Sequence, residues 1–335
     1  MATPTRTVAG TGAIGENKTT VAVTHISSLT SSAVTTIAIT HILTSTGRVG
    51  TPIEISAEVT GPVKNVTLVY GLTSGSLQTQ VQMQSVANGE YVYTIAANQV
   101  TGDISYYVKV YDSTGRGFTT TVYYIAIADF ALQPQAAALT VYRTKSATFQ
   151  LQLLSINNFT EQVQLSTTGN PSGLAVSFSA NPTGPGAVNL NVSPNATVPG
   201  GTYPITVIAT YSPTQSSQVM RDSVIDVTVT DFQVSVESSS YTVYPYSTAV
   251  FTVTLTLQKG FVDPVNITDV SGLPQGATYT FTATDRTVLA GVPGTTDITL
   301  QIRIPPLTQI GTYPILIVFS GGGIIHTIKA QIIVN

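Results

Sequence analysis

Thr252-Val253-Thr254-Leu255-Thr256-Leu257 places apolar and hydroxylated side chains on alternate positions, and Asp226-Val227-Thr228-Val229-Thr230 does the same. Successive side chains of an extended chain point to opposite faces, so a period of two marks a half-buried strand. Runs of this kind, rich in Val, Ile, Thr and Tyr, recur along the chain between clusters of Gly, Pro, Asn and Ser. No segment carries a sustained apolar period of 3.6 residues. The spacing predicts an all-β protein built of packed sheets.

The runs are ordered as a repeat. Asp129-Phe130 returns as Asp231-Phe232, 102 positions on, and Leu139-Thr140-Val141-Tyr142 returns as Tyr241-Thr242-Val243-Tyr244 at the same offset. Phe149, Phe159 and Val163 match Phe251, Phe261 and Val265. The turn Gly169-Asn170-Pro171-Ser172-Gly173 matches Gly272-Leu273-Pro274-Gln275-Gly276 at 103. Gly201-Thr202-Tyr203-Pro204-Ile205 then matches Gly311-Thr312-Tyr313-Pro314-Ile315 at 110. Order and spacing are both kept, so residues 130–231 and 232–335 read as two copies of one β-sandwich.

The opening Asp-Phe, the Phe-centred second strand, the Gly-Leu-Pro-x-Gly turn and the late Gly-Thr-Tyr-Pro-Ile strand resemble the tandem immunoglobulin-like modules of bacterial and archaeal surface proteins and of the virions that infect such cells. The resemblance covers about 200 residues and implies spacers, adhesive units or assembly blocks. Residues 46–129 read as a third, divergent sandwich. Their Tyr91-Val92-Tyr93-Thr94-Ile95 and Ile104–Gly115 runs resemble the last strands of a fibronectin- or immunoglobulin-like domain, with Asp112-Ser113-Thr114-Gly115 as the hairpin turn. The expected fold is three tandem Ig-like or jelly-roll-like sandwiches.

Before them, residues 1–45 read as an N-terminal β arm. Thr20-Val21-Ala22-Val23-Thr24-His25-Ile26 returns 16 positions on as Thr36-Ile37-Ala38-Ile39-Thr40-His41-Ile42. A lone hairpin is marginally stable, so Val21, Val23, Ile26, Ile37, Ile39 and Ile42 are expected to pack elsewhere. The alternatives are a neighbouring subunit, reached by strand addition, and the chain's own first sandwich.

Composition narrows the function. Of 335 residues 13 are Lys or Arg and 16 Asp or Glu, only 9%, while Thr and Ser number 55 and 29. A polar surface of hydroxyls and a net charge of −3 give no basic footprint for nucleic acid. Without cysteine there is neither a disulfide nor a thiolate zinc site. Apolar runs such as Ile315–Phe319 are strand-sized, far below the ~20 residues of a membrane helix.

Candidate chemistry is sparse. Gly10-Thr11-Gly12-Ala13-Ile14-Gly15 matches G-x-G-x-x-G but lacks the flanking strand and helix a dinucleotide site requires. His25, His41 and His326 are too few for zinc and are expected on polar strand faces. Asp103 and Asp112 flank one strand and are better suited to hairpin turns than to the six to eight oxygens of a Ca²⁺ site. No Ser lies in G-x-S-x-G. No catalytic residue, metal or cofactor is assigned. Six Asn-x-Ser/Thr sequons, at Asn17, Asn65, Asn158, Asn191, Asn195 and Asn266, are candidate glycosylation acceptors. Tyr203 and Tyr313 read as structural, Tyr244 and Tyr246 as contact residues.

The expected protein is a non-catalytic structural component of an external assembly. Met1–Arg6 opens no apolar signal sequence, which favours a virion spike, turret or fibre over a cell-surface layer, thread, pilus subunit or adhesin. Expected partners are further copies, other coat or surface subunits, and host-surface or glycan ligands. A polysaccharide-binding accessory protein or a hydrolase is the remote alternative. So few carboxylates also predict a stability that varies little with pH, suited to an acidic, hot exterior.

Overall fold

A computed structural model describes residues 18–21, 37–214, 217–258, 260–281, 287–288 and 294–335. Among them the only helical element is a 3-10 turn at Ala97–Gln99; the rest is strand and turn. The alternation read from sequence is the alternation of burial. In Ile53–Thr60 the residues Ile53, Ile55, Ala57 and Val59 are buried and Glu54, Glu58 and Thr60 exposed. The chain forms three tandem β-sandwiches.

Each sandwich has the same two sheets. In the third, one sheet runs Phe232–Val236, Thr248–Leu257, Gly294–Arg303, Thr278–Phe281. The other runs Ser240–Val243, Ile324–Val334, Gly311–Gly321, Val265–Ser271, Thr287–Val288. The short strand Ser240–Val243 lies parallel to the final strand, while the neighbours are antiparallel. In the second, Ala138–Tyr142 lies parallel to Ser217–Thr230; in the first, Thr46–Arg48 lies parallel to Tyr123–Pro134. A sheet of four strands facing a second sheet that opens with the short parallel strand, in this order, is the immunoglobulin-like topology.

The sandwiches are joined without linkers. Strand Tyr123–Pro134 pairs in its first half with Ile104–Asp112 of the first sandwich and in its second half with Ala147–Ile156 of the second. It is the last strand of one sandwich and the opening strand of the next. Buried side chains of the first two sandwiches accordingly form one continuous apolar cluster, with Phe130 among them. The third has its own cluster around Phe232, Phe251 and Phe319. A single residue, Asp231, separates Ser217–Thr230 from Phe232–Val236.

Residues 37–42 fold in cis. Strand Ala38–Ile42 pairs with Ile53–Thr60, holding in the first sandwich the place that Phe232–Val236 holds in the third. Ile37 and Ile39 are buried in the first core. The segment read as an arm therefore contributes the first sandwich's opening strand. Lys18–Val21 pairs along the outer edge of that strand, Val21 opposite Ile39 and Lys18 opposite Ile42. Val23, Ile26, His25 and the Gly10–Gly15 motif lie outside the described residues.

His41 corrects an expectation. It sits on the buried face with Ile37 and Ile39 rather than on a polar one. Its Nδ1 donates to Ser56 O and its Nε2 accepts from the Tyr106 hydroxyl. Burial lowers the His41 pKa, and the same burial raises that of Tyr106.

Candidate assembly surfaces

A buried aspartate marks the place where the second sandwich meets the third. Asp231 is 1% exposed. Its Oδ1 accepts from the Phe232 backbone N–H at 2.8 Å and faces His326 Nε2 at 2.8 Å; its Oδ2 lies 2.9 Å from Arg143 Nη1. Arg143 Nη2 is also 3.1 Å from His326 Nε2. One ring nitrogen cannot donate to the carboxylate and accept from the guanidinium at once, so Arg143 supplies the permanent counter-charge and His326 adjusts to it. The His326 ring stands edge-on to Phe232, centroids 4.7 Å apart, closing the third core. Around this latch, Tyr142 meets Phe261 edge-on at 5.5 Å. Burial, then a hydrogen bond to Asp263, raises the Tyr142 pKa.

The first junction repeats the device. Asp129 Oδ1 accepts from Phe130 N–H at 2.8 Å, and Oδ2 pairs with Arg221 Nη2 at 2.7 Å. Tyr203 is opposite Val227 and Tyr313 opposite Ile332, so Arg221 and His326, each six residues earlier, occupy the same place on their final strands. Arg221 also lies over Phe130, 5.6 Å from the ring centre. Across this seam Arg48 Nη1 pairs with Glu161 Oε1 at 2.8 Å, and Asn157 Nδ2 donates to Asp103 Oδ1 at 2.8 Å and to Ile127 O at 3.0 Å. Asp103 thus serves a junction, whereas Asp112 takes the hairpin-turn role, accepting from Thr114 N, Thr114 Oγ1 and Arg116 N. The Thr114 hydroxyl first, with those backbone N–H groups, holds the Asp112 pKa below its ordinary value.

His326 was expected on a polar face. It shares the inward face with Ile324 and Ile328 and is half-buried in the seam.

Two loops of each sandwich point toward the next. The first follows the short parallel strand and turns through a left-handed residue: Gly50 (φ +71°), Thr144 (φ +65°) and Tyr246 (φ +69°). In the first sandwich this turn is pressed against the second. Ser217 Oγ donates to Gly50 O at 3.0 Å, and a Cβ on Gly50 would come within 2.6 Å of Val219 Cγ2. The second loop precedes a tyrosine whose hydroxyl reaches back to its backbone, Tyr203 to Pro199 O at 2.7 Å and Tyr313 to Gln309 O at 2.8 Å. Such a tyrosine corner fixes the loop on the sandwich. Gly200, next to Pro199, lies directly against Gln258 of the third sandwich.

In the third sandwich these loops carry Tyr244 and Tyr246, 67% and 75% exposed, and Leu307 and Ile310, 93% and 80% exposed. The Ser247 O–Ile304 N hydrogen bond joins the two loop bases. Among the described residues these loops thus present exposed apolar side chains.

The sequons fall in different settings. Asn158 is exposed in a left-handed turn (φ +61°), beside Arg48 in a groove between the first two sandwiches. Asn195 is exposed, and its Oδ1 accepts from the N–H and hydroxyl of Thr197, the threonine of its own sequon. Asn65, Asn191 and Asn266 are half-buried on strands, Asn191 accepting from Thr148 Oγ1. Asn17 lies outside the described residues. Among the described residues no three His, Cys, Asp or Glu side chains gather as metal ligands would, and no helix is long and apolar enough to cross a membrane.

No protein-family model matches the chain, and no curated protein sequence matches it. Solved structures of tandem sandwiches do. An I-band fragment of titin is 10% identical, covering 89% of this chain and 98% of its own, with a TM-score of 0.31. An intimin fragment is 14% identical over 62% of this chain and 100% of its own, at 0.36. Domains 4 and 5 of the S-layer protein SbsC are 16% identical over 39% and 67%, at 0.24. At these scores the likeness carries no argument about function, and the immunoglobulin-like assignment stands on this chain's own strand order.

Proposed function

We propose that the chain is a non-catalytic structural subunit of an external assembly, in which three sandwiches form a stiff spacer. One observation carries this reading: both junctions lack a linker, one being a shared strand and the other a single buried aspartate held by Arg143. Domains in one chain move relative to each other unless their interface is extensive, and here strand and core run through the first interface. The setting we infer is the outside of a virus particle, as a spike, turret or fibre. A cell-surface layer, thread or adhesin is the second reading, favoured by the exposed apolar side chains of Tyr244, Leu307 and Ile310, which suit contact with a neighbouring subunit. Exposed sequons at Asn158 and Asn195 are offered as glycan acceptors on such a surface.

Immunogold labelling of native particles, filaments and cells tests the setting: label along a particle surface supports the virion reading, label along threads or the envelope the second. Label confined to the cytoplasm in mature, assembled material overturns both. The anchoring role of the N-terminal segment needs a truncation at residue 36 and not 45, because Ile37 and Ile39 are core residues. Loss of assembly in a chain that still folds supports an anchor.

A further inference from the structure

We infer that copies of this chain pack side by side, the outer sheet face of the first sandwich in one copy against the outer sheet face of the second sandwich in another. The inference rests on the reading of the chain as an assembly subunit, and not on whether the assembly is viral or cellular.

Each face is set by the period of two along an inner strand of its sheet. On Ile104–Asp112 the residues Tyr106, Val108 and Val110 are buried, so Tyr107, Lys109 and Tyr111 stand on the outer side, each half-buried. Lys109 Nζ lies 4.6 Å from the Tyr111 ring centre. Gly117, opposite Tyr111, leaves that ring room to lie across the sheet, since a Cβ there would come within 3.4 Å of Tyr111 Cε1. Tyr124, opposite Ser105 on the next strand, extends the aromatic surface and is 66% exposed. On Ser217–Thr230 the same alternation puts Met220, Asp222, Val224 and Asp226 outside, all exposed, Met220 by 59% and Val224 by 52%. Ile208, opposite Asp222, continues this apolar surface onto the neighbouring strand.

The two faces match in pitch and oppose in charge. Tyr107, Lys109 and Tyr111 read apolar, cation, apolar; Met220, Asp222 and Val224 read apolar, anion, apolar. Both rows step by two residues, so in each the flanking side chains stand about 13 Å apart with the charge midway. One row laid over the other sets Lys109 against Asp222 and places the tyrosine rings on methionine and valine. Exposed Lys64, next to the Asn65 that pairs with Tyr111, adjoins the first face, and exposed Asp226 lies on the second, each repeating its face's sign. Among the described residues neither Lys109 nor Asp222 is ion-paired within the chain. Tyrosine and methionine are enriched at interfaces, and the charges make unlike faces attract while each face repels its own kind.

Sedimentation velocity of the full chain over a dilution series, at low and at high salt, tests this with two charge reversals, Lys109→Glu and Asp222→Lys. Both positions lie on outer strand faces, and circular dichroism checks that each variant folds. The expected result is self-association of the unaltered chain that weakens as salt screens the pair. Each variant alone sets like charges against each other and associates more weakly, by on the order of tenfold or more. An equimolar mixture recovers association, because the Asp222 face of the first variant meets the Lys109 face of the second. Undiminished association of Asp222→Lys alone means that the tyrosine face pairs with itself or with another surface, and overturns the proposal. A mixture that associates no better than its components overturns it too. So does an unaltered chain that is monomeric throughout, even where immunogold labelling places the protein on a surface, so the two readings fail separately.

Discussion

Arg143 Nη1 stands 2.9 Å from Asp231 Oδ2, and through this contact the second sandwich holds the single residue that leads into the third. Asp231 is 1% exposed, so its charge cannot turn to water. Replacing Arg143 by Met leaves a buried carboxylate with only the Phe232 N–H and His326. The expected loss is about 3 kcal/mol, the scale for breaking a buried pair on one side. It is measured as a lower denaturant midpoint, and a midpoint within error of the unaltered chain would contradict the latch.

His41 gives the first sandwich an acid-sensitive core. Burial lowers its pKa from the ordinary 6.5, so the unfolded chain takes up a proton at a higher pH than the folded one. Stability from this group is present above about 6.5 and declines as pH falls below it. Protonation also removes the Nε2 lone pair that accepts from Tyr106. A pH series of thermal melts on the unaltered chain and on His41→Gln should show the decline in the former and a flatter profile in the latter. The pH-indifference expected from scarce carboxylates thus meets an exception in one buried imidazole.

Gly169 and Gly272 hold matching turns at φ +86° and +80°. A Cβ would stand 2.5 Å from Pro204 O at the first, and would overlap Pro314 O at the second. Alanine at either position should destabilise by more than about 1 kcal/mol, since both backbone angle and space are incompatible. The check is a lower urea midpoint with an unchanged slope.

The two tyrosine corners provide an internal control. Tyr203→Phe and Tyr313→Phe each remove one hydroxyl donor and little apolar area, so each should cost about 1 kcal/mol. Unequal effects in calorimetry would show that the two loops are not equivalent supports.

Much of this architecture was legible. Asp129, Asp231, Tyr203, Tyr313 and the glycines of the Gly169–Gly173 turn were found by repeat offset, because identical residues recur at matching places. Their partners were not, since Arg221 and His326 share a position but differ in type, and Arg143 has Pro245 opposite it in the next copy. Arg221 and His326 share only an offset of six from the residue opposite the tyrosine, Val227 or Ile332, which becomes visible once the strands are paired. His41 and His326 were misplaced for a different reason. Each has the parity of neighbouring inward isoleucines, Ile37 and Ile39 or Ile324 and Ile328, but was read by side-chain polarity. Period two was the better guide.

The short parallel strands have a mechanical consequence. The chain enters the second sandwich ahead of Ala138–Tyr142 and leaves it after Asp226–Thr230, two segments that run side by side in the same direction. Tension on the ends drags them in opposite senses, so their hydrogen bonds are sheared together and not unzipped one at a time. The same holds for Ser240–Val243 against Gln331–Val334, and for Thr46–Arg48 against Ala126–Ala128. The last is the shortest, only three residues long. Under a pull along the stack, the first sandwich is therefore where the rod should yield, next to the segment by which it is proposed to be held.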